Sequence, residues 1–111
     1  NQKNIIDYLR KKGFKTYKLS ELNFFKQVYL FNSAKIILGP HGAGFANLSF
    51  CKPKTKVYEI LTKNESGRLA IKTICKHLKL KHTKIIAFNT RYQKNSPFNV
   101  FVDLNKIKKI F

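Results

Sequence analysis

The sequence predicts a single doubly wound α/β domain, and three observations carry that prediction. Apolar residues switch repeatedly between helical spacing and strand-like runs along the whole chain. The strand-like runs are separated by segments long enough to need crossover helices, which makes the sheet mostly parallel with helices on both faces. The 111 residues are 43% hydrophobic and 14% aromatic, enough for one core and too few for two domains.

The elements follow in order. Ile5, Ile6 and Leu9 form one stripe over residues 2–12, and Gly13 is a suitable helix stop. Phe14 to Leu19 alternates in the manner of a strand. Ser20 is a candidate N-cap with Glu21 in the first turn, followed by Leu22, Phe25, Val28 and Tyr29 at helical spacing. Lys35 to Leu38 predicts a strand, residues 43–50 a short helix, and Lys56 to Leu61 a strand after the turn at Pro53 and Lys54. Ser66 is placed to cap a helix with Leu69, Ala70, Ile74 and Leu78 inward, and Thr83 to Phe88 predicts the last strand. Asn89–Asn99 contains Pro97 and many polar residues and is expected to be a loop. Asp103 then caps a helix with Leu104, Ile107, Ile110 and Phe111 inward. The four strands are centred near residues 16, 37, 58 and 86.

Composition narrows the partners. Lys+Arg 23 against Asp+Glu 5 gives a net charge of +18, a field that attracts nucleic acid, nucleotide phosphates or an anionic membrane surface. Nearly all of that charge is lysine, with arginine only at Arg10, Arg68 and Arg91. Lysine, Asn, Ile and Phe share A/T-rich codons, so genome composition accounts for much of the bias. Arginine is the residue of choice for bidentate phosphate and guanine contacts, and its scarcity argues against nucleic acid. Walker and RNP-like aromatic motifs are absent as well. Cys51 and Cys75 lack C-x-x-C spacing and set neither a disulfide framework nor a zinc site. No apolar run approaches the ~20 residues of a membrane span. The chain contains no methionine and begins at Asn1, so it is expected to be a piece of a longer polypeptide.

The chemistry concentrates between Ile36 and Phe50, IILGPHGAGFANLSF. A buried strand passes through Gly39, Pro40, His41, Gly42, Ala43 and Gly44 into a helix whose first N–H groups lack intrahelical partners. Such a turn offers a phosphate both free donors and the positive end of the helix dipole. The glycines let the backbone approach a ligand and adopt angles closed to other residues. Their spacing is neither G-x-G-x-x-G nor a P-loop. His41 adds an imidazole that can bind a phosphate or stabilise charge on a departing one, or shape the turn through a local carbonyl. His77 and His82, flanking Lys76–Lys84, read as surface residues. Among five carboxylates, Glu59 alone lies within a strand, beside Val57 and Ile60. A carboxylate there is costly unless hydrogen-bonded or used. Two ribose hydroxyls would satisfy it, and so would a salt bridge to a lysine.

These residues resemble the family-61 glycosyltransferases. The likeness runs from Leu19 to Ile60, about two fifths of the chain, with His41, Gly42, Ala43, Gly44, Asn47, Phe50, Pro53 and Glu59 matching in order. It implies the C-terminal, nucleotide-sugar-binding half of a GT-B enzyme, a Rossmann-like three-layer domain facing a second domain across a cleft. It further implies transfer of a sugar from a nucleotide donor, commonly UDP-linked, to an acceptor hydroxyl of a glycan or glycoprotein, with inversion. Gly39, Pro40, His41, Gly42, Ala43, Gly44 and Asn47 would then hold the donor, His41 would stabilise the leaving diphosphate, and Glu59 would take the ribose. No Asp-x-Asp occurs, so this segment requires no metal and no cofactor beyond the donor substrate. No second well-placed carboxylate is present, so the general base is expected in the N-terminal half or in the acceptor-binding loops. Two other readings stand beside this one: a basic nucleic-acid-binding α/β module, and a noncatalytic nucleotide-binding domain that kept the turn.

Overall fold

The computed structural model describes residues 2–40, 42–62, 67–89, 100–101 and 104–111. Helix α1 (Gln2–Lys11) buries Ile5 and Leu9, one turn apart, as their spacing dictates. Gly13 follows with φ 96, a left-handed angle that a side chain would strain, and the Phe14 N–H returns to the Leu9 carbonyl at 3.0 Å.

Residues 14–18 form no strand, contrary to their alternating pattern. The pattern nevertheless has a cause. Phe14 packs edge-on against Phe111 on one face of the sheet, with ring centroids 5.0 Å apart, while Leu19 packs into the core on the other face. The segment thus crosses from face to face past the sheet edge, and period two places its ends on opposite sides without any ladder.

Ser20 is not the cap of the next helix. It lies in a short 3₁₀ turn, Leu19–Glu21, and α2 (Phe24–Ser33) starts later, with Asn23 Oδ1 accepting the Lys26 N–H at 2.8 Å. That delay rotates the buried face. Phe31 is buried, whereas Phe25 and Tyr29, expected inward, are exposed.

Strand β1 (Ile36–Pro40) runs parallel to β2 (Lys56–Thr62), and β2 runs parallel to β3 (Lys81–Asn89). A two-residue strand β4 (Val100–Phe101) adds antiparallel to β3. The order β1-β2-β3-β4 leaves β1 at an edge among the described strands, where Pro40 is tolerated because its missing N–H removes no central ladder bond. Residues 43–50 are a helix as expected, but of 3₁₀ type, with Phe45 and Leu48 one turn apart and both buried. Helix α3 (Ala70–Leu78) buries Ile71 and Cys75 with Ile74 and Leu78 partly covered, while Leu69 and Ala70 are exposed rather than inward. Helix α4 (Leu104–Ile110) buries Ile107 and leaves Ile110 exposed.

Two apolar clusters flank the sheet. One gathers Phe31, Phe45, Leu48, Val57, Ile71 and Cys75 under α2, the 3₁₀ helix and α3. The other gathers Ile5, Leu9, Ile85, Ala87 and Ile107 under α1 and α4. Helices therefore cover both faces of a three-stranded parallel sheet, the doubly wound arrangement the alternation predicted. Ser66, Asp103 and the expected loop 90–99 lie outside the described residues, so those three expectations meet no structural observation.

Candidate functional site

β1 ends in Gly39 and Pro40, and the parallel register sets Gly39 opposite Glu59 and Pro40 opposite Ile60. Ligands of open α/β sheets bind beyond the carboxyl ends of the strands, and the glycine turn leaves β1 at that end. The turn and Glu59 thus occupy adjacent strands. His41 lies outside the described residues.

Glycine serves here chiefly through close approach rather than unusual backbone angles. Gly42 is extended, with φ 166, and among the described glycines Gly13 alone is left-handed. A Cβ on Gly44, in contrast, would stand 2.9 Å from Leu19 Cδ1. Glycine at position 44 therefore lets the segment before α2 lie against the turn.

Gln27 fastens that contact. Its Nε2 donates to the carbonyls of Leu19 at 2.9 Å and Leu22 at 3.0 Å, and its Oε1 accepts from Asn47 Nδ2 at 2.8 Å. Asn47, expected among the donor-binding residues, thus spends an amide proton on holding the 3₁₀ helix to α2. Nothing in the sequence pattern singles out Gln27, because a glutamine half-covered on a helix looks like any solvated polar residue.

A groove of about 850 Å³ runs along the free edge of β1, and Gly39, Pro40, Gly42 and Gly44 form part of its wall. Lys12, Lys15, Lys18 and Lys35 also line it, and among the described residues no carboxylate does, so the groove is positive and open to an anion. The first two N–H groups of the 3₁₀ helix, at Ala43 and Gly44, precede its first internal bond, from the Phe45 N–H to the Gly42 carbonyl at 3.2 Å.

Glu59 does not line the groove and lies on the face of the sheet that carries Val57 and α3. It is 1% exposed, and its Oε1 lies 2.9 Å from His82 Nε2. The partner is a histidine that the sequence placed on the surface. The side chain of His82 is instead largely covered, 8% exposed, because β3 begins at Lys81 and turns it toward the helix-covered face beside Val57. His77, on α3, is exposed as expected. Lys84, the register partner of Glu59, donates from Nζ to the Arg68 carbonyl at 3.0 Å. The Glu59 charge also reaches Cys75, whose thiol is pushed up to about 11, mainly by burial and then by that carboxylate. Cys51 is likewise pushed up to about 11 by burial and by its neighbour Cys75. Both thiols stay neutral and unreactive near pH 7, as small apolar groups. Among the described residues no group of three His, Cys, Asp or Glu side chains could hold a metal, and no helix is long and apolar enough to cross a membrane.

Comparison with known proteins adds one finding. A family model described as Glycosyltransferase 61 matches residues 1–58, which includes the whole turn and Asn47 and stops one residue short of Glu59. No curated protein and no solved structure matches the chain.

Proposed function

The chain belongs to the glycosyltransferase 61 family, and from that premise we propose that it is the donor-binding half of a GT-B enzyme. It would take a nucleotide-sugar, UDP-linked, and pass the sugar to an acceptor hydroxyl of a glycan or glycoprotein with inversion. The observation that supports this most is the register that sets the end of β1 beside Glu59, with the glycine turn opening on a lysine-lined groove.

In this reading the Ala43 and Gly44 amides bind the donor diphosphate, and the positive groove raises the local concentration of that anion. His41 stabilises the charge that grows on the leaving diphosphate, the role its imidazole suits near neutral pH. Glu59 accepts the ribose hydroxyls, and Gly39, Pro40 and Gly42 supply a wall that admits the phosphates closely. Asn47 acts through the Gln27 bracket that holds the turn. Inversion needs a base on the acceptor hydroxyl, and Asp7 and Glu21 are exposed, on α1 and in the 3₁₀ turn. In this reading that base comes from the N-terminal half of the enzyme or from the loops that bind the acceptor.

Titration with UDP, followed by backbone amide NMR, tests the reading. The expected result is saturable shifts centred on Gly42, Ala43 and Gly44. Shifts scattered over lysine amides, with tighter and salt-sensitive binding of duplex DNA, would replace it with the nucleic-acid reading. In the complete enzyme His41→Ala should lower turnover by about a hundredfold or more with folding intact. Unchanged turnover removes His41 from the mechanism.

A further inference from the structure

Helix α2 carries aromatic rings on two sides, and the core uses one of them. Phe31 is buried in the core cluster, while Phe24, Phe25 and Tyr29 stand 60%, 81% and 64% exposed. Phe25 and Tyr29 are one turn apart, and Phe24 meets Phe25 edge-on with centroids 6.0 Å apart, so the three rings form one outward patch. Phe24 also meets Phe50, the last residue of the 3₁₀ helix, at 5.8 Å, which ties the patch to the body of the domain. A helix that is apolar on both faces is ordinarily buried on both, and a contiguous exposed aromatic patch marks a surface that meets something apolar.

The surroundings of the patch are cationic. Residues 11–35 carry six lysines and one carboxylate, Glu21. Lys26 Nζ lies over the Tyr29 ring, 5.8 Å from its centroid. Tyr29 also lines the groove that holds Lys12, Lys15, Lys18 and Lys35. Rings flanked by lysines suit a lipid bilayer: the rings enter the headgroup layer, and ammonium groups on long stems meet the lipid phosphates. A second copy of this chain would instead bring its own +18 charge against the same lysines. We propose that the α2 face, with Phe24, Phe25 and Tyr29 as its wedge and Lys18 and Lys26 at its rim, docks the domain on an anionic lipid bilayer. This docking requires neither Glu59 nor a bound donor.

The chain contains no tryptophan, so one introduced on this face reports its own surroundings. The assay adds vesicles of phosphatidylcholine, with or without phosphatidylglycerol, to two variants. Phe25→Trp emission should shift to the blue with the anionic vesicles alone. His77→Trp, at an exposed position beside Lys76 on α3, should show no shift. In cosedimentation with the anionic vesicles, Phe24→Ser/Phe25→Ser should lower the partition constant by about tenfold or more, and Lys26→Gln by about fivefold. Phe25→Ser alone, at a position that faces water, should lower it by about threefold and stays informative if the double variant does not fold. Absence of binding to anionic vesicles overturns the proposal. So does equal binding of the wild type and the serine variants, or an equal shift at positions 25 and 77, because net charge alone would then hold the chain. A Phe25→Trp shift that grows with protein concentration without lipid also overturns it and assigns the face to a second copy.

Discussion

The rotation of α2 by its late start has a measurable consequence. Helical spacing alone puts Phe25 and Tyr29 inward, whereas the structure buries Phe31 at 7% exposure and leaves Phe25 81% exposed. Phe31 joins Phe45, Leu48 and Val57, so Phe31→Ala removes a ring from a packed cluster that also seats the 3₁₀ helix after the glycine turn. Phenylalanine-to-alanine changes in a core cost about 3–5 kcal/mol. Phe25 touches Phe24 edge-on, with centroids 6.0 Å apart, and otherwise faces water. Its truncation should cost under about 1 kcal/mol, the worth of one partly exposed aromatic pair. An unfolding entropy near 2.1 cal/mol/K per residue gives about 230 cal/mol/K for a domain of this size. Phe31→Ala should therefore lower the melting temperature by roughly 13–22 °C and Phe25→Ala by under about 5 °C. Urea unfolding and thermal melts followed by circular dichroism measure both. Equal losses, or a larger loss for Phe25→Ala, would mean that α2 presents the face its sequence pattern suggests, and the packing described for it would be refuted.

Two other outcomes are expected. Gln27→Leu removes the donor to the Leu19 and Leu22 carbonyls and the acceptor for Asn47, and should cost about 1–3 kcal/mol in urea unfolding, with amide shifts at Gly44 and Leu48; a change below about 0.5 kcal/mol would show that the bracket does not hold the turn. Cys51 and Cys75 have folded pKa values pushed up to about 11 from 9.0, so their neutral burial stabilises the fold fully below pH 9, and that contribution is lost as pH rises toward 11. The urea midpoint should fall more steeply between pH 9 and 11 in the wild type than in a Cys51→Ala/Cys75→Ala variant; parallel curves would remove the thiols from the alkaline transition.

The sequence by itself determined the alternation of helix and strand, the parallel sheet, and the glycine turn at a strand end, because periodicity and glycine placement are local properties. It also marked Glu59, since a lone carboxylate in an apolar strand is conspicuous without any neighbour in view. What covers each residue is non-local, and there the tertiary structure decided. Phe14 to Leu19 alternates correctly yet forms no ladder, because its two ends are drawn into cores on opposite faces. Ser20 and Asn23 are both competent caps, and packing of Phe31 selects the second. His82 lies in a lysine-rich stretch that reads as surface, and only the register of β3 against β2 turns it onto Glu59. Pairing across strands is set by the closure of the whole sheet, a quantity that no window of sequence contains.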